Sequence, residues 1–155
     1  MAATAWALYN DAKRYLGTGV IQLGVGTTGK YKMALFRTSA SALVNNLALS
    51  TFTSLSTAQV SATGKYVTGG LTLPPITGQW TVGASTNQMK FTYTTIGLTF
   101  TASGAAINNI RYAVIYESSA DKLLCFCALS SAQFTVSSPN TLTVLPAATG
   151  VFTLT

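Results

Sequence analysis

The chain has no histidine, only three acidic side chains and only two cysteines. Each shortage excludes chemistry. Without histidine it has neither the usual general base near neutral pH nor the commonest metal ligand. The carboxylates are Asp11, Glu117 and Asp121. Asp11 falls in a helical pattern, and the other two flank one turn, where short polar side chains bond locally. A two-carboxylate hydrolase needs both acids held over a cleft, and a magnesium or calcium site needs several oxygen ligands. Cys125 and Cys127 sit two apart on a predicted strand, so they share a face. That spacing suits neither a mutual disulfide nor a zinc site. They read as buried thiols acting as small hydrophobes. No Cys–His or Ser–His constellation is possible, and nothing marks a Ser–Lys pair. The sequence therefore predicts no enzyme activity, no cofactor and no metal.

Charge is scarce as well. Only 8% of the residues are charged, against about 25% in ordinary domains. Nine Lys and Arg outnumber the acids and give a net charge of +6. The excess arises because acids are rare, and the bases form no block of the kind that marks nucleic-acid binding. No specific nucleic-acid partner is expected. Asp11, Lys13 and Arg14 break the N-terminal apolar pattern, so no signal peptide is expected. No apolar run approaches the roughly 18 residues of a membrane span.

What remains is apolar or small and polar: 48% is hydrophobic, with much Thr, Ser, Ala and Gly. Disordered chains are rich in charge and poor in aromatics, so this chain is predicted to fold. Its 155 residues make one domain by size and bury roughly 70% of the extended surface. So few charges leave a weakly solvated surface, which favours a protein covered within an assembly.

The organising stretch is Ile107 to Leu129. Ile110–Tyr116 is mostly β-branched and aromatic, and Leu123–Leu129 is apolar without a break. Between them lies the polar turn Glu117–Lys122. This is a hairpin apolar on both faces, expected to sit in the middle of a sheet covered on both sides.

Ahead of it, Thr4 to Leu16 carries Ala5, Leu8, Tyr9, Ala12, Tyr15 and Leu16 on one helical stripe. Thr4 is the candidate N-cap, Lys13 and Arg14 complement the helix dipole, and Gly17 is the stop. Trp6 lies off the stripe. Val20–Val25 and Tyr31–Arg37 are predicted strands. The glycines between them, GVGTTGK, lack the strand–turn–helix context of a phosphate loop and read as a turn. Ser39–Leu55 reads as a short helix and a loop. From Gly64 onward, glycines and prolines separate short Thr-rich segments: Leu71–Leu73, Trp80–Val82, Met89–Thr94, Leu98–Thr101, Phe134–Val136, Thr141–Leu145 and Val151–Leu154. Strands at such spacing predict a mainly β fold: an antiparallel β-sandwich or jelly-roll-like barrel with a short N-terminal α-helix. The whole chain, 1–155, is one domain, with residues 1–17 as a helical arm and 18–155 as the sandwich.

TAWALYNDAKRYLGTG, YKMALF, VTGGLTL, IRYAVIYESSADKLLC and NTLTVLPAATGVFTL together resemble small virion proteins of tailed bacteriophages. The likeness is strongest to capsid cement or decoration proteins of the head-structural region. It runs over nearly the whole chain and carries no catalytic motif. It implies a sandwich or jelly-roll fold and a place on the outside of the capsid, in a virion assembled in the host cytoplasm. The implied partners are the major capsid protein and copies of this chain, as a dimer or trimer. Tail, neck or fibre-base proteins would use the same architecture. A carbohydrate-binding module, stacking Trp6, Trp80 and tyrosines on sugars, is a further alternative. Terminal arms are easily lent to a neighbour, so Trp6, Tyr9, Lys13 and Arg14 are the candidate partner contacts.

Overall fold

The computed structural model describes residues 4–23, 29–74, 80–83, 87–93 and 97–154. Its centre is β7 (Ile107–Glu117), the longest strand. On one side β7 pairs antiparallel with β2 (Tyr31–Arg37). On the other it pairs first with β9 (Phe134–Val136) and then with β8 (Lys122–Ala128). Outside β8 runs β1 (Ala7–Leu8), and outside β2 runs β3 (Leu71–Thr72). These six strands form the main sheet. The expected hairpin therefore lies mid-sheet. Its turn is closed by Glu117, whose carboxylate accepts the N–H groups of Ser119 and Ala120.

Register fixes what each face presents. Met33, Ile115 and Cys125 are aligned across three strands, as are Leu35, Ala113 and Cys127. All six are buried. The opposite face carries Ala34, Val114 and Phe126, then Phe36, Tyr112 and Ala128.

Two smaller sheets supply the cover for the cysteine face. One holds β4 (Trp80–Val82), β5 (Met89–Phe91) and β11 (Phe152–Leu154), with β5 in the middle. The other pairs β6 (Leu98–Thr101) with β10 (Thr141–Val144). Tyr31 of β2 meets Phe91 of β5 at 5.9 Å between ring centroids, which ties the main sheet to the first of them. The opposite face is covered by α1 (Asn10–Gly17), α2 (Ser41–Val44) and 3₁₀ turns at Thr38–Ala40 and Thr53–Ala58. There Phe52 stacks flat on Tyr116 at 3.6 Å and meets Phe36 edge-on. Tyr9 meets Phe126 at 5.3 Å. The fold is thus mainly β and antiparallel, with a sandwich-like core and sheets that do not close into a barrel. No helix among the described residues is long and apolar enough to cross a membrane.

The N-terminal arm differs from expectation. The helix starts at Asn10 rather than Thr4. Residues 4–8 run extended along β8: Thr4 N–H donates to Ala128 O at 2.8 Å, Ala128 N–H donates to Thr4 Oγ1, and Ala7 and Leu8 pair with Phe126 and Cys125. The reason is backbone accounting. Without β1, β8 would be a buried apolar strand with one edge unpaired, and satisfying that edge outweighs the modest helix propensity of five residues. Thr4 is consequently not an N-cap. Tyr9 takes that position without a side-chain bond to the helix.

The strand expected over Val20–Val25 does not form in its described part. Ile21 N–H donates to Tyr15 O, folding residues 20–23 back onto α1. Val25, with Gly24 and Gly26 of the expected turn, lies outside the described residues. The short helix within Ser39–Leu55 is present as α2, and a second helical turn follows at Thr53–Ala58.

Among the described glycines, Gly70 is the most tightly packed. Gly70 has φ +75°, and a Cβ there would lie 1.9 Å from Met33 O and 2.7 Å from the Ala34 Cα. Gly17, at the end of α1, has nothing within 4 Å of a Cβ. Gly70→Ala is expected to lower unfolding free energy by more than about 2 kcal/mol, through a positive φ and a backbone clash together. Gly17→Ala is expected to be neutral or stabilising by up to about 1 kcal/mol. Urea denaturation of the two variants beside the parent protein measures both.

Candidate functional site

The structure divides the four candidate contacts in two. Tyr9 is wholly buried. Its ring lies on Phe126 and its hydroxyl donates to Val44 O at 3.0 Å. Burial pushes its phenol far above the ordinary range. Tyr9 therefore belongs to the core and is not available as a partner contact, because the apolar stripe it lies on packs against β8. Arg14 is exposed but engaged: its Nε donates to Asp11 Oδ1 at 3.2 Å, one turn earlier. Its guanidinium also lies over the Tyr15 ring. An exposed pair of this kind contributes little to stability.

Trp6 and Lys13 come together. Both line a groove of about 800 Å3 between the N-terminal arm and the C-terminal segment, with Leu145, Val151, Phe152 and Thr153 on the far wall. Lys13 is the only charged side chain on it among the described residues. Lys13 also borders a second hollow of about 550 Å3, lined by Leu16, Ile21, Leu23, Trp80 and Leu154. The two strands beside the groove, β1 and β11, are each the terminal strand of their sheet. This is a shallow apolar surface with one cation and two strand edges at its margin. It has the character of an interface core, where aromatic residues are enriched and charge is sparse.

The groups that could do chemistry are occupied elsewhere. Cys125 and Cys127 are free, buried thiols. Burial raises both, Cys127 to about 12, so thiolate is scarce at neutral pH. The Glu117 carboxylate closes the β7–β8 turn. Asp121 accepts the Thr53 N–H at 3.2 Å across to the 3₁₀ turn. Asp11 holds Arg14. Among the described residues no group of three His, Cys, Asp or Glu is placed to hold a metal ion. Tyr31, Tyr66 and Tyr93 are buried phenols whose hydroxyls donate to main-chain oxygens, those of Gln22, Leu35 and Val144. Their work is to satisfy buried backbone.

Sequence reading missed the far wall of the groove. Val151–Leu154 was legible as a strand, but nothing in its pattern says that it is a sheet edge or that it faces an arm some 140 residues earlier. Comparison with protein-family models, curated proteins and solved structures gives no match.

The buried thiols fix a pH dependence. A thiol with an ordinary value of 9.0 and a folded value near 12 holds its proton in the native state over a range where the unfolded chain sheds it. The unfolded state then binds fewer protons, so stability falls as pH rises. Cys127's contribution is complete below pH 9 and disappears between pH 9 and 12, and the Tyr116 phenol, raised from 10.0 to about 12, adds to the decline. The urea midpoint is expected to be flat from pH 7 to 8.5 and to drop above 9. The drop should be shallower in the Cys125→Ala/Cys127→Ala variant. Iodoacetamide at pH 8 should label neither thiol in the native protein and both in urea.

Proposed function

We propose that this protein is a non-enzymatic structural component of a tailed-phage virion, one that binds the outside of the capsid lattice and cements neighbouring subunits. The observation that carries the reading is the groove where Trp6 and Lys13 meet. It offers an apolar contact surface on a chain whose thiols and carboxylates are committed to its own fold. The phage-virion resemblance of the sequence supplies the setting, and the scarcity of charge agrees with a surface that is covered in the assembled particle.

The partners in this reading are the major capsid protein and further copies of the chain. Each contact need be only modest. Many copies on one lattice convert weak single contacts into durable binding, because each later contact forms at high effective concentration. Trp6 is the anchor of such a contact and Lys13 its rim charge.

Deleting residues 1–16 is a poor test, since it removes Tyr9, Ala12 and Tyr15 from the core. Point variants are suitable. Trp6→Ala is expected to weaken binding to capsids lacking this protein by about tenfold or more. Lys13→Glu is expected to weaken it by about threefold, with most of the effect on association at low salt. Circular dichroism of each variant should match the parent protein. Immunogold labelling of intact virions decides the station: label over the head supports cementing, whereas label on the neck or tail replaces it with a tail or fibre-base role. Binding by folded Trp6→Ala and Lys13→Glu proteins equal to that of the parent would remove the groove from the mechanism.

A further inference from the structure

The groove that holds Trp6 and Lys13 is more than an apolar patch. Five consecutive residues of the arm, Thr4 to Leu8, line it. They run extended along β8, and successive side chains of an extended strand point to opposite faces. A hollow touched by five residues in a row therefore follows the edge of the strand rather than one of its faces. The far wall repeats the pattern with Val151, Phe152 and Thr153. Since β1 and β11 are terminal strands of their sheets, the groove runs between two strand edges.

The bonding pattern says which main-chain groups face it. An antiparallel ladder draws its hydrogen bonds from alternate residues of each strand. Tyr9 N–H donates to Leu124 O at 3.1 Å, so Ala7, two residues earlier, also faces β8. Trp6 and Leu8 turn their N–H and C=O groups the other way, and neither main chain is hydrogen-bonded among the described residues. An edge left open in this way is a template for another strand. Natural edges are commonly blunted by proline or by charge on the strand itself, and residues 4–8 carry neither.

Charge selects the occupant. Lys13 is exposed, and it is the only charged side chain on the groove among the described residues. None of the chain's carboxylates serves it: Asp11 holds Arg14, Asp121 accepts the Thr53 N–H, and Glu117 closes the β7–β8 turn. A second copy would bring the same committed carboxylates and the same net charge of +6, so it offers Lys13 no counter-ion. A different protein carrying its own acid does. The apolar walls, with exposed Leu145 among them, take apolar side chains beside that acid.

We propose that the β1 edge receives an extended segment of a different protein, apolar at alternate residues and carrying a carboxylate that lies against Lys13. The segment adds a strand to the main sheet outside β1. The main chain of Trp6 and Leu8 holds it in register, and Lys13 with the apolar walls selects it. This rests on the reading of the groove as a partner contact and names the chemistry of the partner; it does not depend on the partner being a capsid.

The test follows amide hydrogen exchange of the full chain by NMR during titration with the acetylated, amidated hexapeptide TVEVTV. The peptide should slow exchange at Trp6 and Leu8 saturably, by about tenfold or more, while Ala7, which already faces β8, changes little. Lys13→Gln, with an otherwise unchanged amide spectrum, should weaken this peptide about threefold and leave the affinity of TVQVTV unaltered. Signals that move without slower exchange at Trp6 and Leu8 would mean docking through side chains alone and would overturn the proposal. No saturable change at millimolar peptide would do the same, as would an equal effect of Lys13→Gln on both peptides. Protection of Trp6 and Leu8 that grows with protein concentration in the absence of peptide would give the edge to a second copy instead. Failure of the virion reading looks different: capsid binding untouched by Trp6→Ala removes the capsid and leaves the peptide result standing, whereas capsid binding lost in Trp6→Ala without amide protection by peptide keeps the groove and removes the added strand.

Discussion

A strand that is apolar on both sides has no face to give to water, and β7 is such a strand. From Ile110 to Tyr116 every residue except Arg111 is buried. The rest of the architecture answers that constraint. One side of the sheet needs Phe52, Tyr9 and the short helical turns; the other needs β5, β6, β10 and β11. Burying each large side chain contributes about 1.5–3 kcal/mol, and the gain is realised only when both covers are in place. The tyrosines serve the same end. Tyr66 receives the Leu35 N–H at 2.9 Å, and Tyr116 donates to Gly69 O at 2.8 Å, so irregular segments packed on the sheet keep their polar groups bonded.

The core was legible in the sequence because it depends on local pattern. The β-branched and aromatic run of Ile110–Tyr116, the unbroken Leu123–Leu129 and the polar turn between them define the hairpin without tertiary information. The short Thr-rich strands are likewise announced by the glycines around them. The arm was not legible. TAWALYNDA has good helical spacing, and only the open edge of β8 turns its first residues into a strand. The choice between helix and strand was made by a neighbour more than 100 residues away.

The candidate contacts divide along the same line. Lys13 and Trp6 were recognisable as a cation and an aromatic off the main stripe, and their groove is completed by Phe152 and Thr153 from the other end of the chain. Tyr9 lies on the apolar stripe and is also a candidate partner contact by sequence; its packing on Phe126 resolves it as core.

The pairing of β1 with β8 also has a consequence in time. Ala7 is joined to Phe126, so the sheet edge it closes is built from a strand far away in sequence. The pairing joins two strands separated by well over 100 residues of sequence. Contacts of such long sequence separation close slowly, since the loop must be ordered before the pairing rewards it. In the folded chain residues 4–8 act as a latch across the open edge of β8.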